Sequence, residues 1–148
     1  MKEEKLDEMN TWYCKKCKDS KEANIRMSPF KLPPILIIHL KRFKTQKERF
    51  RRYREEFTKN GIFIDFPLDG LDLTKYLPSD AKSKKGIYDL FGVVNHFGNT
   101  GGGHYIAYAK HPKRKEWCTY DDSRFSVEDP ERICSDSAYV LFYRQRGF

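Results

Sequence analysis

GGGHYIAYAKHPKRKEWCTYDD, residues 101–122, is the stretch on which the reading of this chain turns. Residues 104–110 and 116–122 alternate apolar and polar as strands do, and HPKRK (111–115) is a turn that returns the chain. With the two strands paired antiparallel about that turn, His104 stands opposite Asp121, Ile106 opposite Thr119 and Tyr108 opposite Trp117. Side chains alternate faces, so the imidazole and the carboxylate emerge together on one face. A carboxylate beside an imidazole fixes its tautomer and stabilises the imidazolium, as a general base requires. Asp122 is next in the chain and could assist, although the alternation points it to the other face. Gly101, Gly102 and Gly103 belong to a flexible loop opening at Asn99, where a substrate backbone can come close. Taken alone, the same residues also read as a hairpin whose His and Asp merely meet, and the nucleophile is missing. Cys118 opposes Ala107 in this register and faces away from His104, and Cys134 sits in a polar turn with no helix start to lower its pKa.

Outward from this stretch the pattern stays β-rich. YDLFGVVNHFG (88–98) and SAYVLFYRQ (137–145) read as strands, and IFIDFP (62–67) as a short strand ended by Pro67. In MSPFKLPPILIIHLKRF (27–43), Pro33 and Pro34 block helix entry, and Ile35–Ile38 is apolar on both faces, predicting a buried central strand. His39, at its end, is expected to be a core or sheet histidine. Residues 44–60 are an exposed hairpin or a short helix, rich in Lys and Arg. Residues 68–77 suggest a turn and a short helix, 78–86 a polar loop, and 1–11 a short helix or a frayed end.

The 148 residues fit one domain with a real core, and 15% aromatic content argues against disorder. Lys+Arg 29 against Asp+Glu 21 leaves a net +8, which admits nucleic acid or an acidic protein surface without choosing between them. No apolar run approaches the ~20 residues of a membrane span, and MKEEKLDEMN is too polar for a signal peptide. Collagen, coiled coil, secreted disulfide knot and integral membrane protein are excluded. Reduced thiols, and a cytoplasmic or nuclear location, are expected for the four cysteines. Cys14 and Cys17 have the spacing of half a tetrahedral zinc site.

GGGHYIAYAK, WCTYDDS and SAYVLFY resemble the His box of the ubiquitin-specific proteases. LPPILIIHLKRF and the WYCKKC knuckle resemble two further signatures of that family, and DFPLDGLDL and YDLFGVVNHFG fall between them in its order. The resemblance implies an α+β, papain-like cysteine protease fold. This chain would be its β-rich fingers and palm portion, mostly antiparallel with few short helices. Residues 12–62 would be fingers and 63–148 palm, within a C-terminal half-domain spanning 1–148. The family's nucleophilic Cys box is absent, so the chain alone is expected to be inactive.

The resemblance makes His104 the general base and Asp121 its orienting partner, with Asp122 assisting. It places Gly102, Gly103 and Tyr105 against the ubiquitin tail, and likens Asn99–Gly103 and Leu77–Ile87 to the two blocking loops. No cofactor is expected for catalysis. Structural zinc at Cys14 and Cys17 would need a second Cys pair from the missing half. The expected partners are ubiquitin or ubiquitinated proteins and that missing half, with self-association through the uncovered face; no membrane or nucleic acid is expected. Two other readings stand beside this one: a non-catalytic ubiquitin-binding or scaffolding module, and a basic zinc ribbon binding nucleic acid, which leaves the His box unexplained.

Overall fold

The computed structural model describes residues 3–7, 9–47, 55–77 and 86–148, with backbone alone at 45–47 and 55–57. It divides into one unit of residues 1–32 and 73–85 and a larger one of residues 33–72 and 86–148.

In the first unit, β1 (Glu4–Lys5) pairs with β4 (Asn24–Ile25), and β2 (Trp12–Cys14) pairs with β3 (Asp19–Lys21). Among the described residues of 1–11, Glu4–Lys5 is a strand and none is helical. Of the turn and short helix expected within 68–77, the helix is a single 3-10 turn, Thr74–Tyr76. The polar loop expected over 78–86 lies outside the described residues, Gly86 excepted.

The second unit is built on one antiparallel sheet. Along the chain its strands are β5 (Ile35–His39), β8 (Leu71–Asp72), β9 (Ile87–Asn99), β10 (Gly102–Lys110), β11 (Trp117–Asp121), β12 (Arg124–Glu128) and β13 (Ala138–Gln145). Their spatial order is β12-β11-β10-β9-β13-β5, with β8 also on β9. β9 is central because its apolar residues are shared by both faces, and Tyr88, Leu90 and Val93 are at most 1% exposed. Trp117, Leu141 and Tyr143 are buried with them, as are Phe66, Cys118, Ile133 and Ala138, and each large side chain so buried contributes roughly 1.5–3 kcal/mol. The buried phenols are satisfied: Tyr88 donates to the Pro33 carbonyl at 2.6 Å and Tyr143 to that of Pro67 at 2.8 Å. Burial pushes both above the ordinary tyrosine pKa.

The expected mostly antiparallel, helix-poor fold is what the structure shows. Particular elements differ. β5 is an edge strand, pairing only with β13, and Ile35 and Ile37 are 38% and 59% exposed. An apolar run records that both faces are meant to be covered; it does not record which neighbours supply the cover. Of the two alternatives for His39 the sheet holds and the core does not: it ends β5 opposite Val140, exposed, and lies edge-on to Tyr139 at 4.7 Å. Residues 62–67 form no strand, and side chains take two of their carbonyls. Arg42 Nη1 donates to the Ile62 carbonyl at 2.8 Å, and Tyr143 takes that of Pro67. Arg42, 3% exposed, also donates to Ala138 at 2.6 Å and Asn60 at 3.0 Å, tying this segment to β13. Within 44–60, β6 (Phe43–Lys47) and β7 (Glu55–Lys59) pair, so the hairpin alternative holds there. β12 was not anticipated. Its Phe125 and Val127 alternate with polar residues, yet they are 56% and 63% exposed, so the pattern was present without the burial that normally accompanies it.

Candidate active site

Three consecutive hairpins assemble the site. The first joins β9 to β10 by the two-residue turn Thr100–Gly101, with Asn99 opposite Gly102 and Gly103 opposite Gly98. The expected loose loop at 99–103 is thus a tight turn, held by Gly101 N–H donating to Asn99 Oδ1 at 2.9 Å. Gly98 has φ +101°, and a Cβ there would lie 2.6 Å from the Gly102 carbonyl. A Cβ at Gly103 would lie 2.2 Å from His96 Nε2, so the absent side chain is where the His96 ring fits. Nothing lies within 4 Å of a Cβ built on Gly102.

The second hairpin joins β10 to β11. Tyr108 stands opposite Thr119 and Lys110 opposite Trp117, two residues from the register read off the sequence. The cause is the loop. His111 N–H donates to the Glu116 carbonyl at 2.7 Å, leaving four loop residues between them, the last being Lys115 at φ +61°. A slip of two preserves the faces, so His104 and Asp121 still share one. They meet diagonally.

The third hairpin joins β11 to β12 through Asp122–Ser123, with Asp121 opposite Arg124. Asp122 has φ +49°, a conformation Asp tolerates better than most residues. The turn ends the strand alternation that would send Asp122 to the far face. Ligand atoms of His104, Asp121 and Asp122 all lie within 4.8 Å of one another, so Asp122 joins the pair.

His104 Nε2 lies 2.5 Å from Asp121 Oδ1. That hydrogen bond raises the His104 pKa; partial desolvation opposes it, and the charges of Asp121 and Asp122 add to it. Nδ1 makes no hydrogen bond among the described residues, so its lone pair is available to a reacting group. The cluster opens into a cavity of about 410 Å³ also lined by Ser123 and Arg124. A second cavity, of about 480 Å³, is lined by Gly102, Gly103, Tyr105, Phe43 and His96. Tyr105, 54% exposed, lies 4.7 Å from the His96 ring.

The sequence makes His96, near the edge of the first blocking loop, structural by default with a contribution to the site as the alternative, and gives Lys59 no role of its own; the structure places both. His96 is 3% exposed, and burial, with help from the charge of Lys59, lowers its pKa. Lys59 Nζ donates to the carbonyls of His96 at 2.6 Å and Gly98 at 3.3 Å, fixing the start of the first hairpin. The available signal was a histidine inside an otherwise apolar strand.

Among the described residues no thiol joins the His104 cluster. Cys118 is wholly buried and pairs with Ala109 and Val127, on the face away from Asp121. Cys134 Sγ lies 3.5 Å from the Ile64 carbonyl, and burial pushes its pKa up.

The sequence model described as Ubiquitin carboxyl-terminal hydrolase matches residues 5–143. The chain belongs to that family. Among its relatives is Ubiquitin carboxyl-terminal hydrolase 9 of Arabidopsis thaliana, 41% identical over 143 residues, covering 97% of this chain and 15% of that protein. Among solved structures, a SAGA DUB module containing Ubp8, Sgf11, Sus1 and Sgf73 matches with TM-score 0.79 and 32% identity, covering 97% of this chain and 30% of the other. A SAGA DUB module bound to monoubiquitin matches with TM-score 0.78 and 31% identity, again over 97% and 30%. The chain thus spans about 15% of that curated relative and 30% of these solved chains. No helix among the described residues is long and apolar enough to cross a membrane.

Cys14 ends β2 and Cys17 lies in the turn that leads to β3. Hydrogen bonds from the Cys17 backbone, the Cys17 side chain and the Lys16 backbone lower the Cys14 pKa, which suits a metal-ligating thiolate. Structural zinc takes about four ligands. Among the described residues no third His, Cys, Asp or Glu ligand atom gathers with these two, so the residues present do not make a closed zinc site.

Proposed function

We propose that this chain is the base-bearing part of a thiol-dependent deubiquitinase that cleaves after the C-terminal glycine of ubiquitin. The observation that carries the reading is the 2.5 Å contact between His104 Nε2 and Asp121 Oδ1. Asp121 holds the neutral imidazole with its proton on Nε2, which leaves Nδ1 as the base. His104 takes the proton of a cysteine supplied from outside this chain. The thiolate attacks the glycyl carbonyl, and the imidazolium returns its proton to the leaving amine. The neutral imidazole then deprotonates a water, which hydrolyses the thioester and frees the thiolate. Asp122 adds negative charge that favours the imidazolium. Gly102 is sterically open and Tyr105 exposed, and both suit contact with the Arg-Leu-Arg-Gly-Gly tail. Gly103 serves that tail through its packing on His96. In this reading residues 63–148 are the palm part and 12–62 the fingers part, and Cys14 and Cys17 await a second pair of ligands.

The test is hydrolysis of a fluorogenic ubiquitin C-terminal amide. The chain is assayed alone, with the native segment carrying the Cys box, and with His104→Ala. Activity only in the combined sample, abolished by His104→Ala, supports the assignment. Activity of the chain alone, or activity that survives His104→Ala, overturns it. Ubiquitin binding with no activity in any sample identifies a binding module instead.

A further inference from the structure

The end of the sheet away from His104 carries a second constellation. β10 runs on from His104 to Lys110, which puts its far end about 20 Å away at the strand rise per residue. A cleft of about 420 Å³ opens there, with Lys110, Lys115, Arg144 and Arg146 and two carboxylates, Asp69 and Asp89, in its walls. Phe91 and Pro112 supply apolar lining.

The cations are not equivalent. Arg146 grips Asp89 with two bonds of 2.7 Å, and Lys110 Nζ lies 3.5 Å from Asp69 Oδ1. Lys115 and Arg144 have no ion-pair partner among the described residues. Arg144 is nonetheless held, its guanidinium carbon 5.1 Å from the Phe91 ring centroid. Lys115 occupies the left-handed position of its hairpin loop, φ +61°, where Gly or Asn is the ordinary choice.

We propose that this cleft docks an acidic peptide segment. One carboxylate would sit between Lys115 and Arg144, with a neighbouring aromatic or aliphatic side chain against Phe91. Charge complementarity selects an anion, and the walls select its kind. Asp69 and Asp89 already take up Lys110 and Arg146, so the unpaired positive charge is confined to Lys115 and Arg144, which matches a carboxylate flanked by apolar groups better than a continuous phosphate backbone. The site is independent of the His104 chemistry.

Fluorescence anisotropy of the full chain, titrated into a fluorescein-labelled hexapeptide of alternating Glu and Phe, tests this. A Lys-for-Glu peptide and a single-stranded RNA 12-mer serve as comparisons. The expected result is salt-sensitive binding of the acidic peptide, weakened about fivefold by Lys115→Glu or Arg144→Gln and more than about tenfold by both. Lys44→Glu, an exposed charge on β6, should leave it unchanged. Lys115→Glu alters only an exposed loop residue, so it decides the matter even if the Arg144 variant folds poorly. No peptide binding, equal binding by the variants, or tighter binding of RNA than of peptide would each overturn the proposal.

Discussion

Gly103→Ala and Gly102→Ala differ by one position in the chain, and the structure separates their consequences. A methyl at Gly103 would stand 2.2 Å from His96 Nε2 and 2.4 Å from the Phe97 carbonyl, against the 3.4–4 Å of ordinary contact. The imidazole and the carbonyl must each retreat by about 1 Å or more. Retreat is costly, because Phe97 is in register with His104 in the β9–β10 ladder and His96 is only 3% exposed. Overpacking of this kind costs about 1–3 kcal/mol. A methyl at Gly102 meets nothing within 4 Å. Both changes stiffen the unfolded chain, worth about 0.4–1 kcal/mol, but that contribution cancels between them. Gly103→Ala should therefore be less stable than Gly102→Ala by the overpacking cost alone, a difference of about 2–12 °C in thermal midpoint. Trp117, 2% exposed, reports unfolding of the sheet through its fluorescence, whereas Trp12 is already 55% exposed. Replacing His96 by Ala empties the space that the methyl needs. The double variant His96→Ala/Gly103→Ala should then recover about 1 kcal/mol or more relative to the sum of the single changes. Equal midpoints for the two glycine variants, or strict additivity in the cycle, would refute the packing argument.

Asp121→Asn should lower the His104 pKa towards its ordinary 6.5, read from the His104 Cε1 proton in an NMR titration; an unmoved titration would remove Asp121 as its tuner. Because the folded-state pKa is raised, the pair's contribution to stability is fully present below about pH 6.5 and lost as pH rises through the raised value, so the variant's deficit should shrink from pH 5.5 to pH 9. Arg42→Met keeps the buried stem but leaves the carbonyls of Ala138, Asn60 and Ile62 without this donor, and should cost about 3 kcal/mol or more in urea unfolding. A loss below about 1 kcal/mol would show that water replaces the guanidinium.

Local patterns carry what depends on neighbours in the chain. The alternation in HYIAYAK and WCTYD, the turn between them and the face shared by His104 and Asp121 were all legible, since a strand has period two and an even slip keeps faces together. The closeness of Cys14 and Cys17 was legible for the same reason, as two thiols separated by two residues across one turn. The exact register was not, because hairpin loop length depends on where one residue accepts a left-handed conformation, and Lys115 is an unexpected residue to do so. Asp122 was misdirected for a related reason: alternation holds only while the strand lasts, and the Asp122–Ser123 turn ends it. What remained to the tertiary structure depends on residues distant in sequence. β5 looked central yet lies at an edge, since strand order is set by long-range pairing. Carbonyls at 62–67 looked free for a ladder until Arg42 and Tyr143 were seen to take them. His96 beneath Gly103, Lys59 bracing the hairpin, and the cleft gathered from Asp69, Lys115 and Arg144 all join separate strands or loops. Periodicity assigns a side chain to a face; only the packed sheet decides what that face meets.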